Sequence, residues 1–560
     1  MIRYLTGLGL LVFAGAIGFQ SEAVGHPAHA KPVNYPFVVG FERFHSSLDD
    51  EDYLAEGGFI LLNELNCVAC HQPPENLKER LPGIEATNLD GVGSRLDYLD
   101  LEIMIRNPRF VKKDTTMPSV FAGPDRDLEE VEALKHYLAT LRYEVPEYPR
   151  GDVEVGRQFY HQIGCVGCHA PEAGFRPAGV PENAEIELAG LPSVPMNLAD
   201  LYDLNSLTHF LLNSNDHRPS GRMPEFDLSI DEASNLAAYL KAGPDLFLPE
   251  NLTEALTASD QIDLDEKLAE RGRQLFDQKN CSACHLVPGE KVERLRFRAT
   301  PLADLDYSSE AACFSKRPVS GGIPFYGLDE VQKRAIGAAL QRLGDQGKVA
   351  VAELIDWRMK QLNCYACHER EGVGGVETAR EVYFGFATED AVKLGRWGHL
   401  PPPLDRVGAK LTDDWMKLVM LGEGGKGEVR PYMSARMPAY RHEDALPLTK
   451  HFSAADSIKK SLRLPIGPGG RKAGAELFSV DGKNCVQCHS FGPLKETGMP
   501  GINLSLSGDR LKFGYFQQLL MDPHSLQPGT VMPDSFEDNK ADKAAVQALW
   551  QFIGGKGVGN

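Results

Sequence analysis

Beyond its first thirty residues the chain has no long apolar run, and it has no excess of positive charge. The 560 residues carry a formal net charge of −19, which argues against nucleic acid or an anionic membrane surface as partner, because both attract basic proteins. No later stretch is apolar over the roughly 20 residues that span a bilayer. The sequence also lacks a recognisable catalytic domain. We therefore expect a mature protein without an integral membrane span and without a nucleic-acid partner.

The exception is the N-terminal segment, residues 1–30. Arg3 gives a short basic start, and an uncharged apolar run extends from Leu5 to Phe19. Small-residue cleavage candidates follow near Ala23 and Ala30. This layout is typical of a secretory signal peptide and predicts a periplasmic or otherwise exported protein. The alternative is an uncleaved anchor, but the run is shorter than the roughly 20 residues that cross a bilayer.

Cysteine is scarce outside one motif, since ten of the eleven cysteines lie in five copies of C-x-x-C-H. The copies are Cys67-Val-Ala-Cys70-His71, Cys165-Val-Gly-Cys168-His169, Cys281-Ser-Ala-Cys284-His285, Cys364-Tyr-Ala-Cys367-His368 and Cys485-Val-Gln-Cys488-His489. Two thiols at this spacing can add to the two vinyl groups of one haem, and the adjacent histidine then binds the iron. The motifs therefore predict five covalently attached haem c groups.

Three other interpretations of the motif compete with haem attachment. Zinc would need paired C-x-x-C units that share one ion, whereas each copy here has its own histidine. Disulfides would not require the histidine. A redox dithiol could explain one copy but not five behind an export signal.

Each motif follows a similar stretch, so we interpret the chain as internal repeats. Gly58, Gly156 and Gly272 each lie nine positions before the first cysteine of their motif. Gly474 fits with two extra residues, and Ile355 replaces the glycine in the fourth copy. Apolar residues at three- and four-residue steps predict amphipathic helices before the motifs. A second helix is expected to close each repeat, at Leu128–Leu141, Ser229–Lys241, Leu328–Leu343, Glu443–Ala455 and Lys540–Ile553.

Each repeat resembles a class I cytochrome c domain, and the resemblance covers the chain from about Asp52 to Gly555. It implies an all-α fold of five tandem helical domains, each around one covalent haem. It also implies that a glycine of the first helix crosses an aromatic residue of the last, for which Tyr137, Tyr239 and Trp550 are candidates. The domains are expected at residues 52–147, 150–248, 264–346, 349–457 and 469–557.

The resemblance further implies that a loop methionine is the sixth iron ligand of each haem. Four Met-Pro pairs lie between a motif and its closing helix, at Met117, Met223, Met437 and Met532. A thioether is a soft, neutral ligand that raises the haem potential. Met104 and Met433 are weaker competitors in the first and fourth repeats.

The third repeat lacks this methionine. Between His285 and Cys364 there is no further histidine, and the only methionine is Met359. Alignment with the second repeat places Ile323 where Met223 stands. The third haem is then five-coordinate, or it takes another ligand such as Cys313, Lys316, a tyrosine or a residue of a neighbouring repeat, or its domain is degenerate and only relays electrons. Cys313 is otherwise interpreted as a buried free thiol.

These features predict an exported pentahaem c-type cytochrome that transfers electrons between redox partner proteins. It could be the cytochrome subunit of a dehydrogenase or reductase complex, and no catalytic residue is assigned. The alternative is a haem enzyme, peroxidase-like or reducing a small ligand, with the third haem as its open site. Arg396, Arg406 and Arg436 are candidates to pair with haem propionates, which guanidinium suits, the alternative being solvated surface charge.

Overall fold

The computed structural model describes residues 51–554 apart from short gaps. The gaps are residues 97, 112–114, 122–126, 179, 181–192, 195, 197–201, 243–262, 290–298, 308–311, 320–321, 344–348, 386–388, 424–428, 431 and 459–468. The predicted signal peptide, residues 1–30, lies outside this range. The described chain is mostly helical, as predicted, and its strands are the antiparallel pair Glu369–Arg370 and Val373–Gly374. None of the described helices has the length and apolar character needed to cross a membrane.

Ten long helices form the framework, and odd-numbered helices precede a motif while even-numbered helices close a repeat. They are α1 Glu51–Glu64, α2 Leu128–Thr140, α3 Val153–Gln162, α4 Ile230–Ala242, α5 Glu266–Gln278, α6 Glu330–Gln341, α7 Val351–Gln361, α8 His442–Ala455, α9 Gly470–Phe478 and α10 Lys540–Ile553. The five predicted closing helices are present, with bounds within two residues of those expected.

Shorter helices fill the loops between these pairs. The α-helical ones are Val92–Arg95, Tyr98–Arg106, Pro108–Val111, Leu204–Leu212, Ser214–His217, Val407–Lys410, Asp413–Met420, Ser507–Arg510, Phe513–Met521 and Pro523–Leu526. The 3₁₀ helices outside the motifs are Glu75–Leu77, Leu302–Asp304, Ala312–Phe314, Thr378–Tyr383, Glu389–Gly398 and Leu504–Leu506.

Three helix pairs form within their own repeat, α3 with α4, α7 with α8 and α9 with α10. Glycine permits the close crossing, because a Cβ at Gly156 would overlap the carbonyl oxygen of Asn235 on α4. The next neighbour of that Cβ is Tyr239, so Tyr239 is a crossing residue as predicted. In the last repeat, Phe552 rather than Trp550 lies against Gly474, so that prediction is wrong. The indole of Trp550 packs instead against Phe513 and Phe516.

The first and third repeats exchange helices. Helix α1 packs against α6, and α5 packs against α2. A Cβ at Gly58 would overlap the carbonyl oxygen of Ala335 in α6, and a Cβ at Gly272 would overlap that of Ala133 in α2. The prediction that residues 52–147 and 264–346 each close on their own helix pair is therefore wrong. Small and apolar residues line all four helices, so both pairings bury an apolar face.

Contacts between loops join the repeats in pairs. Antiparallel bridges link Ser119 with Phe325, Glu225 with Ala439, and Leu411 with Leu511. They connect the first repeat to the third, the second to the fourth, and the fourth to the fifth. The segments before the closing helices thus meet in pairs, which brings the motifs of neighbouring repeats together.

Candidate haem-attachment sites

The five C-x-x-C-H motifs have the same local conformation. Each begins with a three-residue 3₁₀ helix, at Cys67–Ala69, Cys165–Gly167, Cys281–Ala283, Cys364–Ala366 and Cys485–Gln487. The residue before each motif has a positive φ and is an asparagine in four copies and Gly164 in the other, and these are the types that tolerate it best. The backbone N–H of each motif histidine donates to the carbonyl of the first cysteine at 2.8–2.9 Å. The histidine is therefore held one turn beyond the first thiol in every copy.

All five motif histidines form a hydrogen bond through Nδ1 to a backbone carbonyl, which can only accept. The partners are Thr300 for His71 (2.6 Å), Val194 for His169 (2.9 Å), Thr87 for His285 (2.8 Å), Pro402 for His368 (2.7 Å) and Ile502 for His489 (2.8 Å). A metal-binding histidine commonly donates its second ring nitrogen in this way, which fixes ring and tautomer. With Nδ1 engaged in this way, Nε2 is the nitrogen that would bind a metal.

Burial also favours the neutral imidazole that a metal requires. Desolvation lowers the pKa of His285, His368 and His489. A lowered pKa means that these rings are unprotonated at neutral pH. A neutral imidazole has a ring nitrogen whose lone pair could bind a metal.

The motif thiols do not have the properties of a redox dithiol or a disulfide. None of the eleven cysteines forms a disulfide. Burial raises the pKa of Cys165, Cys281 and Cys364 to about 12, whereas reactive dithiols have lowered values. Moreover, the described residues contain no group of three or more His, Cys, Asp or Glu side chains placed to hold a metal ion. A haem iron does not need such a group, because the porphyrin supplies four nitrogens.

One large cavity joins three of the motifs. Its volume is about 1730 Å³, and His169, His285 and His368 all line it. A pocket for one drug-sized molecule measures roughly 300–1,000 Å³, so this space exceeds the need of a single ligand. The lining is mostly apolar, as for the faces of a buried porphyrin. We call it the shared cavity.

Three of the four predicted methionine ligands, Met117, Met223 and Met437, line the shared cavity. Met433 and Met104 also line it, so the fourth repeat offers two sulfurs, and Met437 is 41% exposed. Met532 packs instead in the apolar core of the last repeat beside Phe478. The backbone N–H of Met117 donates to Thr115 Oγ1, and that of Met532 donates to Thr530 Oγ1. The two methionine loops therefore have the same kind of local turn.

Three cations of the fourth and fifth repeats were not anticipated from the sequence. Lys410, Arg430 and Arg510 all line the shared cavity, and no ion pair to any of them occurs among the residues that the structure describes. Burial, together with charge repulsion within this cation cluster, lowers the pKa of Lys410 to about 7 and that of Arg510 to about 10. Arg430 contributes to the lowered pKa of His368, and Arg510 to that of His489. The cation cluster therefore lies near two motif histidines, where an anionic group would relieve the repulsion.

The arginines predicted from the sequence to pair with propionates have other surroundings. Arg436 pairs with Glu232 at 3.0 Å, and Arg396 pairs with Glu381. Arg406 adopts a positive φ at the start of the helix Val407–Lys410. None of these contacts makes the three arginines better candidates for pairing with propionates than the cation cluster.

No family model matches the chain, and neither the curated proteins nor the solved structures contain a match to it.

The ion pair between Glu232 and Arg436 gives a pH prediction. The hydrogen bond from Arg436 lowers the pKa of Glu232 to about 2. A lowered acid pKa stabilises the fold above the ordinary value of 4.5, and the stabilisation is lost as pH falls through about 2. We expect Glu232→Gln to cost about 1.5 kcal/mol at neutral pH, in the range of charge-assisted hydrogen bonds, and much less at pH 2, where about half of the Glu232 carboxyl groups are protonated. Urea unfolding at several pH values measures this.

The control is Glu154→Gln, which removes the same charge from an exposed pair with Arg157. Exposed pairs contribute little, so its effect is expected to be small at every pH. Equal losses in the two variants would contradict a structural role for Glu232.

Proposed function

We propose that this chain is an exported multihaem c-type cytochrome that binds five haems and transfers electrons between redox partner proteins. Each haem would be attached through the two cysteines of one motif, and the motif histidine would bind its iron. The observation that carries the proposal is the hydrogen bond from Nδ1 to a carbonyl in all five copies. A chance repeat of C-x-x-C-H would not orient five histidines in the same way.

A haem iron supplies reversible one-electron chemistry when bound, because it cycles between Fe(III) and Fe(II). The contribution of the chain is to set the surroundings of the metal. The apolar lining of the shared cavity limits access of water, and the methionines raise the reduction potential. The cation cluster can bind propionate carboxylates, and its charge favours the reduced state.

Close contacts between motifs support transfer of electrons from one site to the next. A Cβ at Gly167 would lie 2.9 Å from Cys367 Sγ, so the second and fourth motifs touch. Asn66 Nδ2 lies 3.4 Å from Cys284 Sγ, so the first and third motifs are also adjacent. The shared cavity then links the third motif with the second and the fourth. Four sites packed in this way favour an electron carrier over independent domains.

The partners are proposed only by class. A net charge of −19 favours a redox protein that presents a basic face, and a dehydrogenase or reductase complex would provide one. The predicted signal peptide supports export to the periplasm or beyond.

Anaerobic reductive titration tests the proposal. We expect the holoprotein to take up five electrons per chain, each with the sharpening of visible absorption bands that marks reduction of a haem. Uptake of fewer than five electrons would contradict five redox-active haems. Uptake in one concerted step coupled to turnover of an added small oxidant would favour the enzyme instead.

A further inference from the structure

The helix exchange between the first and third repeats changes which haem lacks a methionine. We propose, on the basis of the proposed function, that Met117 ligates the haem attached at Cys281 and Cys284. The haem attached at Cys67 and Cys70 is then the one with an open sixth position. It would bind a small exogenous ligand such as carbon monoxide.

Packing around the third motif supports the first half of this inference. His285 bonds to Thr87, a residue of the first repeat, at 2.8 Å. Phe276 and Cys281 pack in one core with Phe121 and Leu134. Met117 precedes that core by four residues and lines the shared cavity together with His285 and Phe276. The closing segment of the first repeat thus covers the third motif.

Packing around the first motif supports the second half. His71 bonds to Thr300 at 2.6 Å, and the N–H of Leu302 donates to the carbonyl of Gln72 at 3.1 Å. Cys67 packs against a core that contains Leu302 and Tyr326. The closing segment of the third repeat therefore covers the first motif.

Ile323 lies in that closing segment, three residues before Tyr326. The Tyr326 hydroxyl donates to the carbonyl of Leu65, two residues before Cys67, at 2.8 Å. In other repeats this stretch carries the candidate methionine. Isoleucine has no lone pair to donate to iron, so the haem at His71 receives no ligand from this position. The sequence alone assigned the vacancy to the third motif, because it paired each motif with the loop that follows it in the chain.

Carbon monoxide binding to the reduced holoprotein tests the assignment, because it reports open haems directly. We expect one carbon monoxide per chain in the natural sequence. The pair Cys67→Ala and Cys70→Ala removes the first haem and should abolish binding. The matched pair Cys281→Ala and Cys284→Ala removes the third haem and should leave carbon monoxide binding intact. The reverse result in these two variants would overturn the inference.

Two single substitutions keep the test valid if a haem-deficient variant does not fold. Ile323→Met should supply a sulfur and abolish carbon monoxide binding. Met117→Leu should raise binding from one to two per chain, and it should have no effect once the third haem has been removed. No binding to the natural sequence, or unchanged binding in both variants, would overturn the inference.

The exchanged packing can also be tested without a variant. Lys279, the residue that follows α5, and Glu130 of α2 form an ion pair at 2.6 Å. A carbodiimide should join them by an amide bond, and mass spectrometry of the digested holoprotein would find the joined peptides. Absence of this link alongside an efficient link between Lys135 and Glu102, which pair at 2.9 Å within the first repeat, would contradict the exchange. A chain with five haems that fails these tests would refute only the assignment, whereas a chain with fewer haems would refute the proposed function.

Discussion

Replacing both Cys485 and Cys488 by alanine is expected to remove one covalent haem and leave the other four. The last motif lies in its own unit, because α9 pairs with α10 and the core around Phe478 is drawn from residues after 470 together with Leu411. No cysteine of this motif lines the shared cavity. Loss of its haem should therefore not disturb the remaining sites. Intact mass and the pyridine haemochrome absorbance measure the number of haems per chain.

The matched control is Cys313→Ser, which changes the one cysteine outside a motif. This variant should retain five haems, because Cys313 has no histidine at the required position. Retention of five haems by the double alanine variant would contradict attachment through this motif. Loss of a haem from the Cys313 variant would contradict the motif as the unit of attachment.

A single methyl group at Gly474 is expected to disrupt the last helix pair. An added Cβ would overlap the carbonyl oxygen of Ala548 and lie 2.8 Å from Phe552 Cβ. Backbone cannot move aside as a side chain can, so Gly474→Ala should cost about 3 kcal/mol, at the upper end of the usual range for overpacking. Hydrogen exchange of the amides in α9 and α10 measures the local free energy of opening.

Gly469→Ala is the control for that substitution. Gly469 precedes the same helix, and a Cβ there would meet nothing within 4 Å. In the Gly469→Ala variant, the amides of α9 and α10 should exchange at rates close to those of the natural sequence. Equal effects of the two substitutions would mean that the loss arises from helix propensity or chain stiffness rather than from the crossing.

Local features of this fold could be predicted from the sequence, because they depend on neighbouring residues. The closing helix Lys540–Ile553 has the predicted bounds, since its apolar residues repeat at helical spacing. The motif geometry also follows from the local chain, as a positive φ before the first cysteine suits asparagine and glycine. Such features do not depend on which distant segment packs against them.

The exchange of helices could not be predicted in this way. Gly58 and Gly272 have equivalent positions in their repeats, and each can cross any closing helix with small residues at the contact. Sequence proximity then favours the partner in the same repeat, which is the wrong choice for α1 and α5. For the same reason the sequence pairs Ile323 with the third motif, whereas the exchanged packing sets the segment that contains Ile323 against the first motif.

The cation cluster was missed for a related reason. Arg430 lies 20 residues after Lys410 and 80 residues before Arg510, so no local pattern joins them. The ion pair between Arg436 and Glu232 also cannot be predicted from the sequence, because the two residues are about 200 positions apart. Only the packing of the fourth repeat against the fifth reveals which cations lack a carboxylate.

The most direct test of the account is the intact mass of the purified protein before and after chemical cleavage of its thioether bonds. Five covalent haems predict a mass difference of five haems. They also predict that five moles of porphyrin are released per mole of protein. A difference of fewer than five haem masses, or none, would contradict the account.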